Sequence, residues 1–327
     1  MPKVLITTVP FADKNRLPIE LLRKGNISYL INPIGRKLKE RELVDMIADF
    51  DVIIAGTELI TEEVMTQGKN LKFISRVGIG LDSVDLLAAE RLGIKVSYTP
   101  DAPAPAVAEL TVGMMLSLLR YVQLANSQMH QGLWHRYFGR RISEITIGII
   151  GFGRIGQGVI DRLTSFRPYK ILVNDINNEV EFTSMSWIQF ATKEQILEQA
   201  DLISLHVPLT SKTKNMICYD ELKTMKKDAI IINTSRGGII NELDLAKVLN
   251  EGHLAGAAID VFEKEPYDGE LKDIERCLLT SHMGSMSIDC RSLMEIEATK
   301  EAVRFLSGQS LQSKVPMEEY DVQRQGL

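Results

Sequence analysis

The run Gly151-Phe152-Gly153-Arg154-Ile155-Gly156 has G-x-G-x-x-G spacing and stands between a β-branched stretch, Thr146–Ile150, and a helical pattern from Gln157 to Phe166. In that setting the motif suits a dinucleotide phosphate. Gly151 permits a tight turn, Gly153 removes a side chain where backbone must approach a pyrophosphate, and Gly156 lets helix and strand pack closely. The helix N-terminus adds N–H groups and a partial positive charge for the anion. Nineteen residues beyond Gly156, the stretch Lys170–Asn174 ends at Asp175. A carboxylate there bonds ribose hydroxyls and repels a 2′-phosphate, and Ile176-Asn177-Asn178 offers no arginine to welcome one, so the spacing predicts NAD over NADP.

Three more polar groups fall at or just after predicted strand ends. Arg236 lies in Asn233-Thr234-Ser235-Arg236-Gly237-Gly238 and presents a planar fork suited to a carboxylate. Glu265 lies in Asp260-Val261-Phe262-Glu263-Lys264-Glu265-Pro266, and His282 in Thr280-Ser281-His282-Met283-Gly284. A loop histidine with an acid from the neighbouring turn suits proton transfer near neutral pH, the acid favouring the imidazolium. Taken singly, Arg236 reads equally as a surface charge, Glu265 as a helix cap and His282 as a loop histidine. Their joint placement on one edge of a nucleotide-binding sheet argues for a site, because ligands of open α/β sheets bind outside the strand C-termini.

The elements that must position these groups alternate almost from end to end. Val4–Thr8, Ile27–Ile31, Val52–Ala55, Phe73–Arg76 and Lys95–Tyr98 read as strands, with helical patterns such as Arg41–Asp49 and Ser83–Leu92 between them. The proline-rich run Tyr98–Pro105 reads as a stiff connector between domains or a surface loop within one. A long helix is expected from Ala106 to Gln131, with Leu110, Met114, Leu118 and Tyr121 on one face. Six further strand candidates follow: Thr146–Ile150, Lys170–Asn174, Leu202–His206, Ala229–Asn233, Ala255–Ile259 and Leu278–Thr280. This rhythm predicts an α/β protein with doubly wound parallel sheets. The tail beyond Gln309 reads as polar and frayed.

Composition narrows the partners. The 327 residues suggest about two domains. Hydrophobic residues make up 45% and charged residues 25%, which excludes a disordered or fibrous chain. A net charge of −5 without long single-sign blocks argues against nucleic acid and anionic membrane surfaces. The apolar stretch Val112–Leu119 is too short for a membrane span, and no leader pattern is seen at Met1. Cys218, Cys277 and Cys290 form no CxxC, which points to a reducing cytoplasm and away from a metal site.

Several blocks in order resemble the D-isomer-specific 2-hydroxyacid dehydrogenase family, most closely its phosphoglycerate dehydrogenase-like branch. They are Ile74–Asp82, Ala106–Thr111, the glycine loop, Leu205–Thr210, Asn233–Gly238, Gly256–Phe262 and Ser281–Gly284. The resemblance covers nearly the whole chain. It implies a flavodoxin-like substrate domain, residues 1–100 and 285–327, and an inserted Rossmann NAD-binding domain, residues 101–284. It also implies that the Ala106–Gln131 region is a homodimer arm, the alternative being an ordinary core helix.

By the same resemblance Arg236 holds and polarises the substrate, His282 is the general acid/base and Glu265 its partner. Asp260 is implied at the nicotinamide carboxamide, Arg154 and Ile155 at the pyrophosphate, Asp175 at the ribose. Val207, Thr234, Ser235, Arg236, His282 and Gly284 meet the rest of the dinucleotide. Gly78, Ile79 and Gly80 are implied to offer N–H groups to the substrate carboxylate from the opposite domain, and Arg76 to hold a substrate phosphate. His206 is implied to act through its backbone or packing.

The implied reaction is reversible hydride transfer between a small D-2-hydroxyacid and its 2-ketoacid, with 3-phosphoglycerate as first expectation. Glu58, in Ala55-Gly56-Thr57-Glu58, weakens that expectation, because an acid near the site repels a phosphate. Glyoxylate, hydroxypyruvate, D-lactate and phosphonate-type acids are the alternatives, and an NAD(H)-sensing binding protein of the same fold is the rival class. Formate dehydrogenases of this fold pair the histidine with glutamine, so Glu265 speaks against them.

Overall fold

Runs such as Ile230-Ile231-Ile232-Asn233 are buried at every position, the mark of strands covered on both faces, as parallel sheets require. The computed structural model describes residues 1–177, 186–324 and 326. Asn178 therefore lies outside the described residues. The chain divides into two units, Met1–Pro103 with Ser285–Leu327, and Ala104–Gly284.

The first unit holds β1 (Lys3–Ile6), α1 (Leu17–Lys24), β2 (Ser28–Ile31), α2 (Glu40–Ile47), β3 (Val52–Ala55), α3 (Glu62–Gln67), β4 (Phe73–Arg76), α4 (Leu86–Arg91) and β5 (Lys95–Ser97). Its sheet runs β2-β1-β3-β4-β5, all parallel, which is the flavodoxin-like order. The core on one face gathers Leu5, Ile53, Ile74, Leu43, Ile47 and Leu86. Each fully buried side chain of this size is worth about 1.5–3 kcal/mol.

The second unit holds α5 (Ala104–Leu119), α6 (Val122–His130), β6 (Thr146–Ile150), α7 (Arg154–Leu163), β7 (Lys170–Asn174), β8 (Ile188–Phe190), α8 (Lys193–Gln199), β9 (Leu202–Leu205), α9 (Tyr219–Thr224), β10 (Ile230–Asn233), α10 (Glu242–Asn250), β11 (Gly256–Ile259) and β12 (Cys277–Leu279). The sheet order is β12-β11-β10-β9-β6-β7-β8, again all parallel. Strand order reverses between β6 and β9, and that switch point opens a crevice at the strand C-termini. The remaining helices, α11 (Ile288–Leu306) and α12 (Met317–Arg324), belong to the first unit.

Several expectations change. The long helix is two helices, because Arg140 N–H takes the Leu119 carbonyl at 2.9 Å and Tyr121 turns left-handed at φ 54°. Tyr121 leaves the predicted apolar face and stacks on Tyr137 with centroids 5.0 Å apart. Pro105 lies in the first turn of α5 rather than in a connector, since proline is tolerated where the first-turn N–H has no partner anyway. Strand β8 went unpredicted because it has three residues and only Ile188 is buried. The tail is not frayed: Leu86 N–H donates to Gln323 Oε1 at 2.8 Å, and Gln323 Nε2 donates to the Val84 carbonyl at 2.7 Å, tying α12 to α4. Among the described residues no single helix is long and apolar enough to cross a membrane.

Candidate active site

The glycine loop leaves β6 at Ile150 and enters α7 with Gly153 as its cap. Gly151 sits at φ 99°, and a Cβ on it would run into the His206 carbonyl beyond β9. A Cβ on Gly156 would run into the Gly151 carbonyl. Around Gly153 nothing lies within 4 Å of a Cβ position, so this glycine borders open space while the other two are closed in by backbone. That cradle fits a dinucleotide phosphate approaching the first turn of α7, where Arg154 is exposed and Ile155 half-buried. Asp175, just past β7, accepts Phe152 N–H at 2.6 Å and Asn177 N–H at 2.9 Å. It is thus fixed against the glycine loop.

Across the switch point, Val207 is half-buried beside His206. Burial pushes the His206 imidazole down to about 3, so it is neutral, and its Nε2 meets Ser204 Oγ at 2.9 Å. A ring held neutral under the loop does not titrate near pH 7.

Past β10, Asn233 organises the arginine turn. Its Oδ1 accepts from Ser235 N–H at 3.1 Å and the Ser235 hydroxyl at 2.8 Å, while its Nδ2 donates to the Arg236 carbonyl at 2.8 Å. Thr234 meets Thr111 of α5, hydroxyl to hydroxyl at 2.9 Å. Arg236 is half-buried and donates to the Ser235 carbonyl at 2.6 Å.

The turn after β11 is pressed onto this loop. A Cβ on Gly237 would collide with the Phe262–Glu263 peptide, so only glycine lets the two turns touch. Glu265 then accepts Phe262 N–H at 3.2 Å, and both its oxygens lie 3.0 Å from His282 Nδ1. With Nδ1–H donating to the carboxylate, Nε2 is left to exchange a proton with a ligand. The His282 side chain is 40% exposed and that of Glu265 29%, so the pair is open to an incoming molecule.

Asp260 holds the histidine loop. At 1% exposure its carboxylate accepts the Thr280 hydroxyl, Met283 N–H at 2.7 Å and Gly284 N–H at 2.9 Å, while its own carbonyl accepts His282 N–H at 2.8 Å. These bonds hold His282 at φ 52°, a strained conformation for a side-chain-bearing residue. Gly284 is wedged between Asp260 Oδ2 and Val107, each 3.2 Å from a Cβ position.

In the first unit, Gly78 follows β4 at φ 138° and donates its N–H to Thr99 Oγ1 at 2.7 Å. That donor is used within the fold; the Ile79 and Gly80 N–H groups, both on half-buried residues, enter no hydrogen bond among the described residues. Arg76 is 7% exposed, its guanidinium tucked beneath Gly78 and donating to the Val77 carbonyl. Glu58 is 1% exposed and turned inward, accepting Gly56 N–H at 2.9 Å and the Thr7 hydroxyl. It ties the segment after β3 to the one after β1.

Sequence reasoning passed over Asn233, Thr111, Thr280 and Glu242, the last accepting the Glu263 N–H at 2.8 Å from the start of α10, as parts of this region. Asn233 was readable, since an Asn two residues before a turn residue closes an Asx turn. The other three act across long sequence distances and carry no local signal. Among the described residues no group of three or more His, Cys, Asp or Glu could hold a metal ion.

Residues 112–284 match the family described as D-isomer specific 2-hydroxyacid dehydrogenase, NAD binding domain. A glyoxylate reductase of Thermofilum pendens is 38% identical over 82% of this chain and 82% of its own length. A D-3-phosphoglycerate dehydrogenase of Methanocaldococcus jannaschii is 35% identical over 97% of this chain, which spans only 60% of that relative. In fold, the TT0316 protein from Thermus thermophilus superposes with a TM-score of 0.87 at 30% identity, over 96% of this chain and 100% of that one.

Proposed function

The chain belongs to the D-isomer specific 2-hydroxyacid dehydrogenase family and carries its NAD binding domain, and we propose that it interconverts a small D-2-hydroxyacid and the matching 2-ketoacid with NAD. The observation that carries this reading is His282 Nδ1 standing 3.0 Å from both oxygens of Glu265, on the sheet edge that also bears the glycine loop. The first-turn N–H groups of Arg154 and Ile155 hold the pyrophosphate, and Asp175 the ribose. Val207, Thr234, Ser235 and Gly284 line the remainder, and Asp260 keeps lone-pair capacity for the carboxamide beyond its loop bonds. Bound NAD supplies the hydride acceptor for oxidation and, reduced, the donor for reduction.

The chain's own groups then do the following. In oxidation, neutral His282 takes the substrate hydroxyl proton at Nε2; in reduction, its imidazolium returns that proton to the ketone oxygen. Glu265 stabilises the imidazolium and fixes the ring. Arg236 grips the substrate carboxylate and stabilises charge developing on the C2 oxygen, an effect often worth about 3–4 kcal/mol.

Two substrate readings divide on the third carbon. The Methanocaldococcus relative supports 3-phosphoglycerate. Against it, a phosphate dianion needs a reachable cation, and Arg76 at 7% exposure is committed under Gly78. We take the unphosphorylated reading, glyoxylate or hydroxypyruvate. A homodimer is proposed through the α5–α6 region, where Val122, Met129, Leu133, Trp134 and Phe138 are 53–99% exposed. Three free cysteines suit a reducing, cytoplasmic setting.

The test is a kinetic panel of glyoxylate, hydroxypyruvate, pyruvate and 3-phosphohydroxypyruvate with NADH, on wild type and His282→Ala. The expected result is turnover of an unphosphorylated acid, falling by about three decades in the variant while NADH binding is kept. NADH binding without turnover of any acid overturns the enzymatic reading in favour of an NAD(H) sensor.

A further inference from the structure

Glu242 opens α10, away from the strand ends, and no step described so far uses it. Its Oε1 accepts the Glu263 N–H at 2.8 Å. That bond fastens the middle of the turn whose next acid is Glu265. The same turn is held on its other side by the close approach of Gly237 to the Phe262–Glu263 peptide, and at its end by Phe262 stacking on Tyr267 with centroids 4.2 Å apart. Glu242 is thus one of three clamps on the segment joining the Arg236 loop to the Glu265–His282 pair.

A neutral acceptor would serve as well for a clamp alone. Instead a third carboxylate stands beside Glu263 and Glu265, and burial with those two charges pushes the Glu242 carboxyl above its ordinary range. Tyr267 also feels its charge. Glu263, Glu265 and Tyr267 are the groups whose charges interact with it, Lys264 stands on the same turn between the two acids, and Asp244 and Lys247 lie further along its own helix. Groups that cost a fold stability at a working site are retained for what they do there. A negative charge behind Glu265 deepens the potential at His282 and favours the protonated ring that gives its proton to a ketone.

We propose that Glu242 is a positioning residue for the Glu265–His282 pair, clamping the turn that carries Glu265 and adding negative potential behind it. The inference rests on the proposed acid/base role of His282. Glu242→Gln keeps an acceptor for Glu263 N–H and removes the charge, whereas Glu242→Ala removes both. Two readouts separate the parts. In 2-ketoacid reduction, Gln keeps kcat at low pH but moves the midpoint of the kcat/KM profile to lower pH by several tenths of a unit, the size of a partly screened charge pair. Ala lowers kcat about tenfold with NADH affinity unchanged, and Gln rescues most of that loss. In the protein without ligands, the His282 ring proton, identified by its absence in His282→Ala, shows the same displacement of its NMR titration midpoint in the Gln variant.

An unmoved NMR midpoint and pH profile in Gln, or full kcat in Ala, overturns the proposal. If the wild type turns over no 2-ketoacid, the functional reading fails. The NMR titration still decides whether Glu242 acts on His282.

Discussion

Gly237→Ala probes the closest approach in the candidate site. Gly237 has ordinary backbone geometry, so the substitution adds no conformational strain; its whole effect is the volume of one methyl group. The three nearest atoms to that methyl are Phe262 C, Phe262 O and Glu263 N, all inside the 3.0 Å that real Cβ atoms respect. All three are backbone, so no rotamer change relieves the clash. Reaching even the 3.0 Å limit drives the two turns apart by about 1 Å, and the optimal separation near 3.5 Å asks for about half an ångström more. Arg236 is on one turn and Glu265 on the other, so the substrate grip and the base lose register. A misplacement of about 1 Å costs on the order of 100-fold in rate, or about 2.7 kcal/mol of transition-state stabilisation. Overpacking adds about 1–3 kcal/mol of destabilisation, a fall in Tm of about 2–4 °C for each kcal/mol. The assay is steady-state 2-ketoacid reduction alongside NADH fluorescence titration and thermal melting. The expected result is a 100-fold loss of kcat/KM with NADH affinity within about threefold. A variant with wild-type kcat and Tm refutes the claim that these turns are locked through this contact.

Other outcomes are equally direct. Asp175→Ala removes the acceptor of Phe152 N–H and the carboxylate proposed for the ribose, so KM for NAD should rise about tenfold or more and the preference over NADP shrink; an unchanged NAD/NADP ratio removes Asp175 from cofactor choice. Glu242 has a raised folded-state pKa, caused first by burial, so its stabilising form is the protonated one, present at low pH and lost as pH rises through the folded value. Glu242→Gln should therefore melt higher than wild type at pH 7, with the gain vanishing below about pH 4; a gain of equal size at both pH values contradicts this. Trp134→Glu combined with Phe138→Glu alters two side chains that are 81% and 99% exposed. Light scattering should show the proposed dimer for wild type and a monomer for the double variant, with Tm little changed at high dilution; a dimer surviving the double change moves the interface elsewhere.

Much of the architecture was legible locally. The alternation of β-branched runs with amphipathic stretches specifies parallel α/β sheets, because only strands buried on both faces tolerate sequences such as Ile230–Asn233. The glycine loop was legible for a similar reason: strand, three glycines at set intervals and helix form one contiguous signal. Arg236, Glu265 and His282 were singled out by type and by position after predicted strands, and the structure brings the last two into contact. Less was readable where a distant segment intervenes. The end of α5 depends on Arg140 taking the Leu119 carbonyl, and a window over 106–131 holds no trace of that contact. Gly78 looked like a donor to substrate, yet Thr99 consumes its N–H. Glu58 looked like an acid placed to repel a substrate phosphate and is buried against Gly56 and Thr7.

Residue types and spacing by themselves determined which groups are candidates here: a glycine loop between strand and helix, an acid after the next strand, a guanidinium after a strand end, and an imidazole with a carboxylate partner. Tertiary structure alone decided which donors and acceptors remain for a ligand once the fold has taken its share. Asp260 spends three of its carboxylate's acceptor positions on Thr280, Met283 and Gly284 to hold His282 at positive φ, and Arg76 turns a guanidinium nitrogen to the Val77 carbonyl beneath Gly78. Glu242, unremarkable in sequence, reaches the Glu263 N–H across 21 positions. The reason is physical: buried polar groups must be paired, and a partner supplied by a distant loop is fixed only when packing brings the two together.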